Sequence, residues 1–364
     1  MLDFAFEYRL EDFHLAPALT TGRDVTALYG PSGAGKSLTL LCLVGLRRPS
    51  RGYIRLNGRT LFDATAGIHL PPHLRRMGLV FQEYALFPHL TVAGNLGYGL
   101  QGVPRAEVRD RVEAMLRLLR LDGFGSRYPG ELSGGQRQRV ALGRGLIIQP
   151  ELLLLDEPFS ALDQMERERL RSEVLELLRG FGGTTILVTH NLQEAYLMAR
   201  QIAVIDWGRI LQAGARDEVL QHPRTRRVAE HVGVTNIFQG TVADASAGHP
   251  AIAWYGEQLT CLTSLPPPGR TVEFCIRPED VRLVWPEKTA ERPNVLRGHL
   301  TAEVERGVDY LLKFRRDGQA VEAGEIEIHC SEHLHYLMKL HPGKQVLIAL
   351  PPDKLHVLAP VEHA

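Results

Sequence analysis

The chain has 364 residues, 44% hydrophobic and 23% charged, the balance of a folded globular protein with room for two domains. Lys plus Arg and Asp plus Glu both number 42, so the basic surplus of a nucleic-acid binder is missing and no nucleic-acid partner is expected. The four cysteines, Cys42, Cys261, Cys275 and Cys330, lie far apart without a CxxC pair, which excludes a disulfide framework and fits free thiols in a reducing compartment.

The opening stretch MLDFAFEYRLEDF lacks the basic start and apolar run of a secretory signal. No apolar run reaches the roughly 20 residues of a membrane-spanning helix, so work at a membrane would pass through another subunit. Val25–Tyr29 is the first run read as a buried strand. Gly30-Pro31-Ser32-Gly33-Ala34-Gly35-Lys36-Ser37 follows it and opens a helical pattern, the phosphate-loop spacing in its strand–loop–helix setting. Glycines there let backbone N–H groups approach phosphates, and the helix N-terminus favours negative charge. Lys36 is expected to neutralise the β- and γ-phosphates and the Ser37 hydroxyl to ligate Mg²⁺, so ATP and Mg²⁺ are the implied cofactors.

Gly78–Phe81 reads as the next strand and ends at Gln82, whose amide is expected to touch both Mg²⁺ and a water. After Pro104, Val108, Val112, Met115, Leu116 and Leu119 recur at helical spacing, a core-facing stripe. Leu132-Ser133-Gly134-Gly135-Gln136 then precedes the helical RQRVALGRGLI; Ser133 and the glycines offer N–H groups at a helix start, a second anion site. The run Leu152–Leu155 ends in Asp156 and Glu157. In open α/β sheets, ligands sit at the carboxyl ends of strands, so Asp156 is expected to hold Mg²⁺ and Glu157 to orient or deprotonate the attacking water. Leu170, Val174, Leu177 and Leu178 form another helical stripe. Thr185–Thr189 ends at His190, read as a γ-phosphate contact, and Ile202–Ile205 is one more strand. Strands alternating with helices predict an α/β domain with a mostly parallel, two-faced sheet.

From Gly240 the chain becomes β-rich, with alternating runs at Val272–Ile276, Tyr310–Phe314, Glu325–His329 and Gln345–Leu350. FCIRPEDVRLV from Phe274 and LIALPPDKLHVL from Leu347 share one pattern of β run, proline turn and β run, which suggests a duplicated hairpin unit in a small barrel. The boundary is placed near residue 235, giving domains at 1–235 and 236–364.

The phosphate loop, the Ser133 segment, the acidic strand and the histidine stand in the order that resembles the ATP-binding subunits of ABC transporters, over residues 1 to about 235. The resemblance implies a P-loop NTPase core with a helical subdomain at about 88–145, then an all-β OB/TOBE-like barrel. It also implies a head-to-tail homodimer, in which Ser133, Gly134, Gly135 and Gln136 of one copy close on the ATP held by Lys36 of the other. Asp163, in Ser160-Ala161-Leu162-Asp163, resembles the segment that crosses that interface. Tyr8 stands about where the family places its adenine-stacking aromatic, with Phe6 competing.

The segment Gln82–Thr91 resembles the one at which family importers meet two integral-membrane permease subunits; a periplasmic or extracellular substrate-binding protein is then an indirect partner. That places the chain peripherally on the cytoplasmic face of the inner membrane. LNGRTLFDATAGIHLPPHLRRMGLVFQEYALFPHLTVAGNLGYGL, from Leu56, is most similar to the ATPases of molybdate importers, which carry a C-terminal oxyanion-binding-type β domain. RPNVLRGHL from Arg292 resembles the opening of that domain, without its usual Ser-Ala-Arg-Asn wording. Sulfate, tungstate and ferric-ion importers share the pattern and are the alternatives. A different class, the ABC ATPases of DNA repair or translation, carries long coiled coils or paired ATPase units, and this sequence has neither. A further reading makes residues 240–360 a ligand-sensing module.

Overall fold

The computed structural model describes residues 1–160, 164–246, 249–288, 292–318 and 324–359. It divides into two compact units, Met1–Val219 and Leu220–Ala364. Residues 220–235 therefore cluster with the β-rich half, ahead of the change in composition near 235.

The helices that position the site in the first unit are α1 (Lys36–Val44), α2 (Val92–Gly97), α3 (Arg105–Leu118), α4 (Gly134–Leu146), α5 (Gln164–Phe181) and α6 (Leu192–Met198). A six-stranded sheet runs in the spatial order Arg209–Ala215, Gln201–Asp206, Val25–Tyr29, Thr184–Thr189, Leu152–Asp156, Met77–Val80. All its pairings are parallel except the first, an antiparallel hairpin at the edge. The apolar runs read from sequence are these strands, within a residue or so of the expected limits. They are continuous rather than alternating because both faces are covered: Leu152, Leu153, Leu154 and Leu155 are all fully buried. Leu152 and Leu154 face a core shared with α1, whereas Leu153 and Leu155 face one shared with α4 and α5. An antiparallel sheet built on Leu2–Leu10 closes over the α1 side.

The α3 stripe faces a core of its own, a choice among cores that its periodicity does not make. Only Val112 of that helix is fully buried, and Val108, Met115 and Leu116 lean partly exposed on a separate cluster with Val92, Leu96, Leu132 and Val140. This is the core of a helical subdomain between the strands Met77–Val80 and Leu152–Asp156. In α5, by contrast, Leu170, Val174 and Leu178 are buried as the spacing predicts.

The second unit consists of two five-stranded antiparallel sheets around one core. Their strand orders match element for element. Glu257–Thr260, His249–Trp254, Asn236–Ser246 and Thr271–Ile276 in one sheet correspond to Ile326–Ser331, Asp309–Arg316, Val295–Glu305 and Gln345–Ala349 in the other. The fifth strands are exchanged: His356–Leu358 pairs with Thr271–Ile276, and Arg282–Val284 pairs with Gln345–Ala349. These are the two proline-turn repeats, so the duplication suggested by sequence is a structural one. Two asparagines fasten it reciprocally. Asn236 exchanges hydrogen bonds with the Glu327 backbone at 2.7 and 2.8 Å, and Asn294 does the same with Thr260 at 2.8 Å each way. The sheets close on large side chains, among them Trp254, Phe274 and Phe314, all fully buried.

Candidate functional site

The strand Val25–Tyr29 ends at Gly30, where the chain must pass close to its neighbour: a Cβ on Gly30 would lie 2.0 Å from the Ile205 carbonyl oxygen. Gly33 and Gly35 then take φ of 80° and 97°, a left-handed geometry that side chains resist, and Gly35 caps α1. Lys36 folds back over this loop. It is 5% exposed, and its Nζ donates to the carbonyls of Gly30 at 2.9 Å and Pro31 at 2.8 Å. Burial pushes its pKa down, and Glu157 and Asp156 push the other way.

The acidic strand brings the second part. Ser37 Oγ donates to Asp156 Oδ1 at 2.9 Å, and burial holds the Asp156 carboxyl above the usual carboxylate range. Glu157, at φ 42°, donates its N–H to the Val188 carbonyl at 3.0 Å, which turns the chain off the sheet edge. Its carboxylate stands 3.9 Å from Lys36 Nζ and 2.9 Å from His190 Nδ1. Five of the expected side chains, Lys36, Ser37, Asp156, Glu157 and His190, thus meet at the carboxyl edge of one parallel sheet. Val80 pairs with Leu155, so the chain carries Gln82 out beyond the same edge, exposed, one strand over from Glu157. Ser37 and Asp156 are hard oxygen donors of the kind Mg²⁺ takes, an ion that binds through one or two protein groups plus phosphate oxygens.

Ser133 caps α4 with a reciprocal box: its Oγ accepts from Gln136 N–H at 3.3 Å, and Gln136 Oε1 accepts from Ser133 N–H at 2.9 Å. A Cβ on Gly135 would meet nothing within 4 Å, so this helix tip is open. Its residues line a cavity of about 190 Å³ with Arg139, Glu166 and Arg169. Ser133–Gln136 is therefore a separate, open helix end, not part of the Lys36 cluster. Asp163 lies outside the described residues. Tyr8 pairs across from Leu15 and leans on the core of the antiparallel sheet, where Phe6 is buried.

Sequence reasoning overlooked Phe13 and Gly208. A Cβ on Gly35 would come within 3.1 Å of the Phe13 ring, which makes Phe13 the aromatic against the phosphate loop. Gly208 ends the hairpin after Asp206 and donates its N–H to the Ala34 carbonyl at 3.0 Å, bracing the loop from outside. The available signal was the glycine closing Asp206-Trp207-Gly208 directly after an apolar strand, a turn composition that the structure bears out with φ 77° at Gly208.

Comparison with known proteins agrees with this geometry. Residues 19–160 match the ABC transporter family, and residues 274–358 match the TOBE domain. A putrescine transport ATP-binding protein of Escherichia coli is 45% identical over 61% of this chain, a match spanning 58% of that protein's own length. A molybdenum import ATP-binding protein of Paramagnetospirillum magneticum is 36% identical, with 81% of this chain and 82% of that protein aligned. Other relatives are named for import of ferric ions, sulfate or thiosulfate, and spermidine or putrescine. Among solved structures, an ATP-binding cassette captured as a dimer in a post-hydrolysis state with ADP and Pi superposes with a TM-score of 0.50 at 26% identity. That superposition covers 59% of this chain and 99% of the cassette.

Proposed function

This chain belongs to the ATP-binding subunits of ABC transporters, and from that premise we propose that it hydrolyses MgATP as a head-to-tail homodimer that drives an importer. The observation that carries the reading is the cluster at one sheet edge, with Ser37 on Asp156 and Glu157 between Lys36 and His190. Lys36 is a buried cation held by two carbonyls, and γ-phosphate oxygens are a stronger acceptor for it. Ser37 and Asp156 hold Mg²⁺, which when bound neutralises phosphate charge. Glu157 accepts a proton from, or orients, the attacking water, and its bond to His190 fixes the carboxylate while leaving the imidazole free to reach the γ-phosphate. Gln82 reaches the same water and ion from the neighbouring strand.

The open Ser133 tip supplies the other half. A nucleotide seated on the Lys36 loop already has one helix N-terminus, so Ser133, Gly134, Gly135 and Gln136 serve the nucleotide of a second copy. The segment Gln82–Thr91 is the contact with two permease subunits, which places the chain on the cytoplasmic face of the membrane. No helix among the described residues is long and apolar enough to span it. Glu157→Gln tests the reading: it is expected to bind ATP, lose most hydrolysis and accumulate as a nucleotide-bound dimer in sedimentation. Near-wild-type turnover by that variant overturns the role given to Glu157.

We propose molybdate as the cargo on narrower ground. The Leu56–Leu100 stretch and the molybdenum relative, aligned over 81% of this chain, support it. The putrescine relative, at higher identity over a shorter stretch, and a spermidine or putrescine import relative, 36% identical over 94% of this chain, support a polyamine as the second reading. In vesicles holding the complete transporter, molybdate-loaded binding protein is expected to stimulate ATP hydrolysis. Stimulation by putrescine-loaded or ferric-loaded protein instead reassigns the cargo.

A further inference from the structure

The helix α4 has the Ser133 tip at one end and, thirteen residues long, spans about 20 Å at 1.5 Å per residue. Arg144 sits in its last turn and turns away from solvent toward the loop after Gln82. Its Nη1 donates to the Ala85 carbonyl at 2.7 Å and its Nη2 to the Tyr84 carbonyl at 3.0 Å. The guanidinium carbon lies 5.4 Å from the centre of the Phe87 ring. Tyr84 and Ala85 both hold positive φ, 63° and 45°, a conformation that non-glycine residues keep only where the surroundings impose it. The Tyr84 ring is buried with Ala141 and Leu142 of the same helix. From the other side, Asn95 of α2 is fully buried and accepts from the Phe87 N–H while donating to the carbonyls of Phe87, Leu90 and Thr91.

Arg144 thus has no carboxylate partner among the described ion pairs; its charge is spent on two backbone carbonyls of a strained loop and on an aromatic face. Two charge-assisted bonds from one planar group fix orientation as well as distance, which a lysine amine does not do. Apolar packing alone would hold Tyr84 against α4, so the added cation has a more specific consequence: the loop must move with the helix.

We propose that Arg144 is the positioning residue that ties the membrane-contact segment to the helix whose other end grips the second copy's nucleotide. The inference rests on the dimer reading above. Docking of the Ser133 tip shifts α4 as one rod, and the Arg144 fork carries Tyr84, Ala85 and Phe87 with it, along with Gln82 two residues upstream. Arg144 stands on the Tyr84 and Ala85 carbonyls and the Phe87 ring, outside the Lys36 cluster; it makes the state of the nucleotide sandwich legible at the segment that faces the permease.

Hydrogen–deuterium exchange of the full chain, with and without MgATP, tests this without needing the transporter. In a Glu157→Gln background, ATP is expected to slow exchange at the Ser133 tip and in peptides covering Tyr84–Leu90, by about tenfold where opening becomes costlier by about 1.4 kcal/mol. With Arg144→Ala added, the tip is expected to keep its ATP protection while the Tyr84–Leu90 peptides lose theirs. Arg144→Lys, which reaches one carbonyl at a time, is expected to give an intermediate response and serves if the alanine variant does not fold. A purely structural role is excluded by unchanged exchange in the strands Leu152–Asp156 and Thr184–Thr189. Loop protection that persists in both variants overturns the inference while leaving the dimer standing. Absence of protection at the Ser133 tip itself overturns the dimer reading, and this inference with it.

Discussion

Replacing Gly208 with alanine strikes the phosphate loop from outside, and the structure gives the size of the effect. Gly208 sits at φ 77°, and a left-handed conformation costs an alanine about 1 kcal/mol or more. Its new methyl would lie 2.3 Å from the His14 carbonyl oxygen and 2.9 Å from Leu15 Cα, both backbone atoms that cannot rotate aside. The hairpin tip must lift, and lifting breaks two bonds: Gly208 N–H to the Ala34 carbonyl at 3.0 Å, and Ala16 N–H to the Gly208 carbonyl at 2.8 Å. At a net 0.5–1.5 kcal/mol each, those losses plus the backbone term come to about 2–4 kcal/mol. Since one bond holds the phosphate loop itself, about half of the loss is expected to appear as weaker ATP binding, roughly tenfold. Urea denaturation gives the first quantity and titration with a fluorescent ATP analogue the second. A Gly208→Ala protein with wild-type affinity and a stability change below about 0.5 kcal/mol, the scatter of surface substitutions, would refute the bracing argument.

Further outcomes follow from the second unit. Asn294→Ala leaves Thr260 N–H and the Thr260 and Leu350 carbonyls without their partner, and is expected to cost about 2–3 kcal/mol in denaturant melts; Asn236→Ala is expected to behave alike because it fastens the matching strand. A loss confined to one of the pair would contradict the two-fold arrangement. Burial holds His356 below the ordinary histidine value of 6.5, and its Nε2 stands 2.8 Å from the Pro223 carbonyl. The unfolded chain therefore takes up the proton first, and stability is full above 6.5 and falls as pH drops below it. His356→Gln is expected to flatten that slope between neutral and mildly acid pH, read by the emission of the buried Trp254; an unchanged slope would remove His356 from the account.

Much of this was legible in the amino-acid order because the chemistry stands at strand ends. A parallel strand buried on both faces is a continuous apolar run, so the polar residue that stops it announces both the edge of the sheet and a candidate for the site: Asp156 and Glu157 after Leu152–Leu155, His190 after Thr185–Thr189. What periodicity could not say was which core a helix meets. The α3 stripe is amphipathic in the ordinary way, yet it serves the helical subdomain, a distinction made by three-dimensional neighbours rather than by spacing. Phe13 escaped notice because a three-residue strand carries no pattern of its own, and only the closing of Phe13–Leu15 on Leu2–Leu10 brings its ring to Gly35. Arg144 was hidden for a related reason. In RQRVALGRGLI every arginine looks like a solvated helix face, yet Arg139 folds onto Glu173 of α5 and Arg144 onto carbonyls about sixty residues away in sequence.

The duplicated half carries a second repeat beside the proline turns. The proline-turn repeat at Phe274 and Leu347 pointed to two hairpins, but Asn236-Ile-Phe-Gln-Gly240 and Asn294-Val-Leu-Arg-Gly298 also repeat, with the asparagine bonding across and the glycine at a close approach. A Cβ on Gly298 would lie 2.1 Å from the Arg315 carbonyl oxygen, and one on Gly240 2.4 Å from an Ile252 methyl. Five residues with two fixed positions are a weak pattern in sequence and become decisive only when both sets of partners are seen.

Mixing two inactive proteins tests the composite site most directly. Lys36→Ala removes the phosphate-binding lysine and Ser133→Arg blocks the helix tip, so a homodimer of either has both sites broken. In a mixed dimer, one site joins the intact Lys36 loop of the Ser133→Arg chain to the intact Ser133 tip of the Lys36→Ala chain. The mixture is predicted to hydrolyse ATP well above the sum of the two proteins assayed alone. A mixture that forms dimers yet stays at that sum would contradict the claim that each nucleotide is shared between two copies.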